Sequence, residues 1–222
     1  MTDIKIFIRK EKRKIMGCYT EQLANGTLKN ETLGNESVTT DSKWSANGKL
    51  SNNLISLFKE KAQKYNLDWR WLAALSYVES GWRTNVKNSY GYYGLFQFLD
   101  STLNSGVKNN ETRYSLTNPS DQAEVAAKLM AKRKSYANGK GLNPEDCYLY
   151  SGMAHNCGDG GAQFLLGKSS PKNVYQMTQV EKKLPSSEFK YKFMASNKKR
   201  KEISEYPFRM KSAYESICAK YK

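Results

Sequence analysis

The stretch WLAALSYVESGWRTN, residues 71–85, holds one carboxylate, Glu79, in the last turn of an amphipathic helical pattern that runs into Gly81. The negative end of a helix macrodipole disfavours an ionised carboxylate there, and apolar neighbours such as Val78 and Trp82 strip its hydration. Both effects raise the pKa, toward an acid still protonated near neutrality. A general acid that protonates a glycosidic oxygen needs that state. Two further segments carry groups capable of chemistry. SYGYYGLFQF brings Ser89, Gly91, Gly94 and Gln97 into one short run. Gly91 and Gly94 permit unusual dihedrals or close backbone approach. Gln97 is an amide between Phe96 and Phe98, so it is either satisfied by backbone or aimed at a ligand. YSGMAHNCGDGG closes a helical pattern with His155, Asn156 and a glycine cluster.

The elements that must position these groups read as helices. Leu54, Phe58, Ala62 and Tyr65 recur at helical spacing. Asp68 is an N-cap for the helix that places Trp71, Leu75, Val78 and Trp82 on one side. Asn118 with Pro119, and Asn143 with Pro144, are cap-and-proline starts of two more. The first turns Ala123, Ala126, Ala127 and Met130 inward and stops at Gly139. The second is lined by Cys147, Tyr150, Ser151 and Ala154 and stops at Gly158. Val174, Met177 and Val180 predict a helix before Pro185. After the basic stretch NKKRKE, a closing helix runs through Met210, Ala213 or Tyr214, and Ile217. Strand signals are few. The predicted fold class is mainly α, with six to eight helices over residues 51–222. Residues 1–50 are polar and basic, rich in Asn, Gly, Thr and Ser. They bury too little to fold alone, and read as a loosely structured N-terminal extension, loose or ordered by a partner.

Across 222 residues, 36 Lys and Arg face 21 Asp and Glu, a net charge of +15. Such an excess favours an anionic partner: nucleic acid, an acidic membrane surface or an anionic wall polymer. No nucleic-acid motif and no platform of interleaved tyrosines and basic residues is present, so nucleic acid is not favoured. No apolar run approaches the ~20 residues of a membrane span. Cys18, Cys147, Cys157 and Cys218 form no CxxC pair and signal no disulfide framework. Cys147, His155 and Cys157 fit no common zinc spacing, so neither a metal nor a cofactor is expected. IMGC near the start is preceded by RKEKRK rather than an apolar run, so no signal peptide is expected.

The order of the blocks resembles a known family. E-S at Glu79-Ser80, S-x-G-x-x-G-L-x-Q from Ser89 and A-x-N-x-G from Ala154 are similar to the catalytic domain of the soluble lytic transglycosylases, relatives of goose-type lysozyme. The likeness covers roughly residues 51–220. NPSDQAEVAAKLM stands where that family has an N-P-x-x-N-I helix. The tail ISEYPFRMKSAYESI matches the closing block only loosely, at Tyr206 and the helix after it. The resemblance implies a lysozyme-like transglycosylase domain acting on peptidoglycan glycan strands, at the β-1,4 bond between N-acetylmuramic acid and N-acetylglucosamine. One Glu protonates the leaving oxygen, then draws the proton from the muramic 6-hydroxyl, which closes on C1 to give a 1,6-anhydro product. The substrate's N-acetyl group assists, so no second carboxylate is obligatory. A two-carboxylate glycosidase needs a partner within ~5–10 Å. Asp100 and Asp159 are conceivable partners, but neither holds a motif position.

Carried over position by position, the resemblance makes Glu79 the acid/base. It makes Ser80 and Ser89 hydroxyls near that Glu and the sugar, Gln97 the cleft glutamine, and Asn156 the asparagine close to the acid. His155 stands where the family has a Tyr whose hydroxyl is expected to hold the catalytic acid. An imidazole could do the same, but as a cation it would lower the pKa of Glu79. Phe96 replaces the family's Met, and Asp100 stands where relatives often have Pro. Phage virions commonly carry such domains. The expectation is therefore a virion-associated chain acting on the cell wall, with virion or tail proteins as partners of the N-terminal extension. The alternatives are a lysozyme-type hydrolase of the same bond, and a structural virion or adaptor protein with an inactive lysozyme-like domain.

Overall fold

The computed structural model describes residues 42–108 and 111–221. Most of the expected N-terminal extension, residues 1–41, lies outside them. Seven α-helices follow in order: α1 (Asn52–Lys64), α2 (Trp69–Ser80), the single-turn α3 (Asp100–Leu103), α4 (Pro119–Asn138), α5 (Pro144–Lys168), α6 (Val174–Lys183) and α7 (Asn197–Lys220). Short 3-10 turns lie at Ser42–Trp44, Ser186–Glu188 and Lys192–Ala195. Among the described residues no strand forms. Tyr93 makes isolated bridges to Lys87 and Phe98.

Short polar side chains start six of the helices. Ser51, Asp68, Asn118, Asn143, Asn173 and Ser196 each accept a backbone N–H from the first turn they precede. Each bond satisfies a donor that the helix itself leaves orphaned. Pro119 and Pro144 follow their caps directly, where a missing N–H costs nothing. Gly81, at φ 62°, ends α2 in the left-handed conformation that disfavours side chains.

The body is built around α5, which packs on α4, α6 and α7; α2 packs on α1 and α7. Most of α5 is buried on all sides, from Cys147 to Ala154 and again at Leu165 and Leu166. Trp71 of α2 stacks between Tyr148 of α5 and Tyr214 of α7, with ring centroids 5.1 and 3.8 Å away. This fixes the start of α2 and leaves its C-terminal turn to face the 82–99 loop. None of the described helices is long and apolar enough to cross a membrane.

Four details refine the sequence reading. Gly158 leaves helical geometry (φ 76°, ψ 158°) and so ends the first helical segment of α5, as expected, but a second segment that the sequence reading lacked follows it directly and runs to Lys168. The closing helix begins at Asn197, capped by Ser196, so NKKRKE forms its first turns and Pro207 lies inside it. Trp82 lies beyond the Gly81 stop rather than on the helix face, at φ 64°, and its indole N–H turns back to the Ala73 carbonyl at 2.8 Å. Residues 44–50, placed in the extension by composition, pack onto the helices. Ala46 and Leu50 are buried, and their N–H groups donate to Ser216 Oγ (2.7 Å) and Tyr221 OH (2.8 Å).

Candidate active site

Glu79 sits in the last turn of α2, one residue before its end at Ser80, where α2, α5 and α7 converge. Its side chain keeps 17% of its exposure. Oε1 accepts the hydroxyl proton of Tyr206, from α7. Oε2 has no hydrogen-bond partner among the described residues. Burial pushes the carboxyl up to about 7, against the Tyr206 hydrogen bond and the charges of Arg209 and Lys199, which favour the ionised form. Tyr206 is itself buried, and burial beside Glu79 drives its hydroxyl far above the ordinary range. It is therefore a permanent donor. With Oε1 occupied, the acidic proton belongs on Oε2, the open oxygen.

Tyr206 reaches Glu79 because α5 has no side chain in its way. A Cβ at Gly152 would stand 3.2 Å from the Tyr206 ring and 3.0 Å from Met210. Sequence reasoning noted Tyr206 only as a loose match in the closing block, and passed over Gly152. The contact joins residues 127 apart in the chain, and no local spacing reports it.

His155, on α5, stands where the family Tyr was expected, but it does not hold the acid. Its Nε2 is 2.9 Å from the Phe96 carbonyl and 3.8 Å from Glu79 Oε1. A carbonyl can only accept, so Nε2 carries the proton and donates it to Phe96. Burial, reinforced by the nearby Arg133 charge, pushes the imidazole down to about 3. The feared cation does not form near neutrality, so His155 does not depress Glu79. Its neighbour Asn156 keeps a buried Oδ1 with no partner.

The loop after α2 forms the next wall. Gly94, at φ 76°, has no room for a Cβ, which would fall 2.0 Å from the Gln122 amide. Gln122 is buried on α4, accepts the Phe96 N–H at 3.2 Å and donates to the Leu116 carbonyl. Gln97 takes a positive φ of 47° and spends its amide N–H groups on the Val86 (3.2 Å) and Gly94 (3.0 Å) carbonyls. It holds the loop and leaves its own Oε1 open. The Ser80 hydroxyl is taken up within the protein. It is buried, with Oγ 2.9 Å from the Leu95 carbonyl and 3.0 Å from the Ser76 carbonyl, so it pins the loop to α2. Ser89 is exposed in the loop and makes no hydrogen bond to a described residue.

Asp100 and Asp159, the conceivable second acids, are both engaged by arginines, with Arg113 at 2.7 Å and Arg133 at 2.6 Å. Cys147, Cys157 and Cys218 are free thiols. Burial pushes Cys147 up to about 11 and Cys157 up to about 12, so both stay protonated.

The model of the Transglycosylase SLT domain family matches residues 56–177, more than half of the chain. The chain belongs to this family. Two curated relatives carry the name membrane-bound lytic murein transglycosylase F. That of Marinobacter nauticus is 46% identical over 55 residues, 24% of this chain and 11% of the relative. That of Pseudomonas fluorescens is 30% identical over 131 residues, 58% of this chain and 26% of the relative. The X-ray structure of an inactive mutant of the lytic transglycosylase Slt from Pseudomonas aeruginosa superposes with a TM-score of 0.51 at 14% identity. It covers 74% of this chain and 24% of that one. That likeness shows the fold: the SLT domain here has the helical, lysozyme-like architecture. The chain spans about a quarter or less of the length of these proteins. The matched range takes in Glu79, Gln97 and His155 but ends before Tyr206, so the residue that holds Glu79 comes from the helix beyond it.

Proposed function

We propose that this SLT domain is a peptidoglycan lytic transglycosylase with Glu79 as its only acid/base. The observation that carries the reading is the asymmetric carboxyl: Oε1 bound by Tyr206, Oε2 open, and a pKa pushed up to about 7. Near neutrality such a group is populated in both forms and can give a proton and take one back. Oε2–H would protonate the glycosidic oxygen between N-acetylmuramic acid and N-acetylglucosamine. The carboxylate left behind is stabilised by Tyr206, Arg209 and Lys199, and would then accept the proton of the muramic 6-hydroxyl. That oxygen closes on C1 and gives the 1,6-anhydro end. Gln97 Oε1, left free by the amide's two N–H bonds, would accept from a sugar N–H or O–H, and Asn156 is the second residue we assign to the substrate. The names of the curated relatives support the same reaction class.

Hydrolysis of the same bond would need a second carboxylate to activate water. Asp100 and Asp159 are each paired with an arginine and neither touches Glu79, whose contacts are Tyr206 and His155, and this favours the one-acid route. The test is digestion of purified peptidoglycan by wild type and Glu79→Gln, with mass spectrometry of the products. Anhydro-ended fragments that disappear in the variant are expected. Reducing ends would establish a hydrolase, and intact walls with both proteins would establish a structural component. The finer reading, delivery to the wall by a phage virion through the basic first 50 residues, is checked by mass spectrometry of purified virions; their lacking the chain would reject it.

A further inference from the structure

Helix α7 carries Lys199, Glu202, Tyr206 and Arg209 at steps of three, four and three residues, so the four share one stripe of the helix. Tyr206 is the member that touches Glu79, at Oε1, and Arg209 and Lys199 are near enough for their charges to act on the same carboxyl. At the helical rise, Arg209 lies about 4.5 Å along the axis from Tyr206 and Lys199 about 10 Å the other way.

The two cations differ in what they already hold. Lys199 Nζ is 3.3 Å from Glu202 Oε2. Arg209 is half-buried, and no carboxylate, carbonyl or ring among the described residues takes its guanidinium. Every other described arginine is engaged. Arg70 pairs with Asp68, Arg113 with Asp100 and Arg133 with Asp159. Arg83 caps the Ser80 carbonyl, and Arg200 takes the carbonyls of Glu181, Lys182 and Leu184. A partly desolvated fork of five donors left without a partner, one helical turn along α7 from the tyrosine that holds the reacting carboxyl, is suited to a planar anion that arrives with the substrate.

We propose that Arg209 binds a carboxylate of the glycan strand, and that the domain selects strands bearing one next to the bond it cuts. This rests on the reading of Glu79 as the acid of a glycan-cleaving site. The carboxylate has two possible sources: the lactyl group of muramic acid where the stem peptide has been removed, or the stem peptide itself. Such an ion pair would also offset the Arg209 charge that draws Glu79 toward its ionised form, and so favour the protonated acid in the complex.

The test uses the full chain and two soluble glycan preparations, one with stem peptides and one stripped by an amidase. Each is used with its carboxylates free or converted to methylamides. KM and kcat are measured for wild type, Arg209→Gln and Arg209→Lys, and equilibrium binding for Glu79→Gln with and without Arg209→Gln. Blocking the carboxylates should raise the wild-type KM about ten-fold, the size of one charged hydrogen-bonded contact. Arg209→Gln should raise KM by a similar factor on free carboxylates but not on blocked ones, with Arg209→Lys between; its loss of charge near Glu79 should change kcat on both alike. The preparation whose KM responds more to blocking identifies the carboxylate. Wild type that handles free and blocked strands alike overturns the proposal, and this arm needs no variant to fold. An Arg209→Gln change that raises KM and weakens binding equally on free and blocked strands overturns it too, because Arg209 would then not be reading the carboxylate. If wild type cleaves nothing, the enzymatic reading fails, while the binding arm still reports whether Arg209 recognises the carboxylate.

Discussion

Two buried carboxylates, Glu79 and Glu124, each accept a tyrosine hydroxyl, yet their chemistry diverges. Glu124, on α4, takes Tyr65 OH and also the ammonium of Lys64, with Lys61 Nζ at 3.6 Å. Burial works to raise its pKa, but those hydrogen bonds and charges outweigh it, and the group is held below its ordinary value. Glu79 has the tyrosine and no cation in contact. Its nearby charges, Arg209 and Lys199, act from a distance along α7, and burial wins. A tyrosine alone orients a buried acid without ionising it; a lysine in contact turns the same arrangement into a structural anion.

Removing each feature in turn tests that contrast. Glu79→Gln should cost the most, a loss of lytic activity on the order of 10³-fold, as expected for removing a general acid. The same substitution should stabilise the fold at pH 8. A folded pKa raised above the unfolded value means that stability falls as pH rises from about 4.5 to about 7, because the buried group must ionise. The gain of the variant over wild type should be on the order of 2 kcal/mol above pH 7 and vanish below pH 4, read from urea unfolding.

His155→Lys would give Glu79 the environment of Glu124, since Nε2 stands 3.8 Å from Oε1. We expect Glu79 to ionise near its ordinary value or lower, and activity at neutral pH to fall about 100-fold. Recovery of activity below pH 5 separates this from simple misfolding. Tyr206→Phe removes the orienting donor and should lower kcat about 10- to 30-fold. It should also move the basic limb of the pH–rate profile above its wild-type position near 7, because the lost hydrogen bond favoured the carboxylate. Glu124→Gln is the smallest in activity, within about two-fold, but should lower the melting temperature by roughly 2–6 °C. That difference should shrink in acid, because a depressed carboxylate loses its stabilising contribution as pH falls through the folded pKa.

The legible parts of the molecule were those written locally. Asp68, Asn118-Pro119 and Asn143-Pro144 announce helix starts within four residues, and the structure uses each of them. The position of Glu79 two residues before a glycine stop carried the sign of its pKa shift, although burial dominates that shift. What stayed hidden depends on distant contacts. Tyr206 meets Glu79 across α7, and Gly152 admits it only because α5 crosses there. Ser80 turns inward because Leu95, 15 residues on, presents a carbonyl to it. Gln122 sits in the inner run with Ala123, Ala126 and Ala127, and a buried amide in that run was the one signal of its hold on the Phe96 backbone. Gly158 was legible as a break in its helix, but the helical segment that follows to Lys168 was not, because its buried Leu165 and Leu166 answer to packing rather than to a local start signal.

The measurement closest to the chemistry is the ionisation of Glu79 itself. A 13C NMR titration of glutamate side-chain carboxyls, differenced against Glu79→Gln, isolates it from Glu181, which burial also pushes up to about 7. We expect one carboxyl titrating near 7 to vanish in the variant and to move upward in Tyr206→Phe. A Glu79 that titrates near the ordinary 4.5 would contradict a protonated acid held in wait for the glycosidic oxygen.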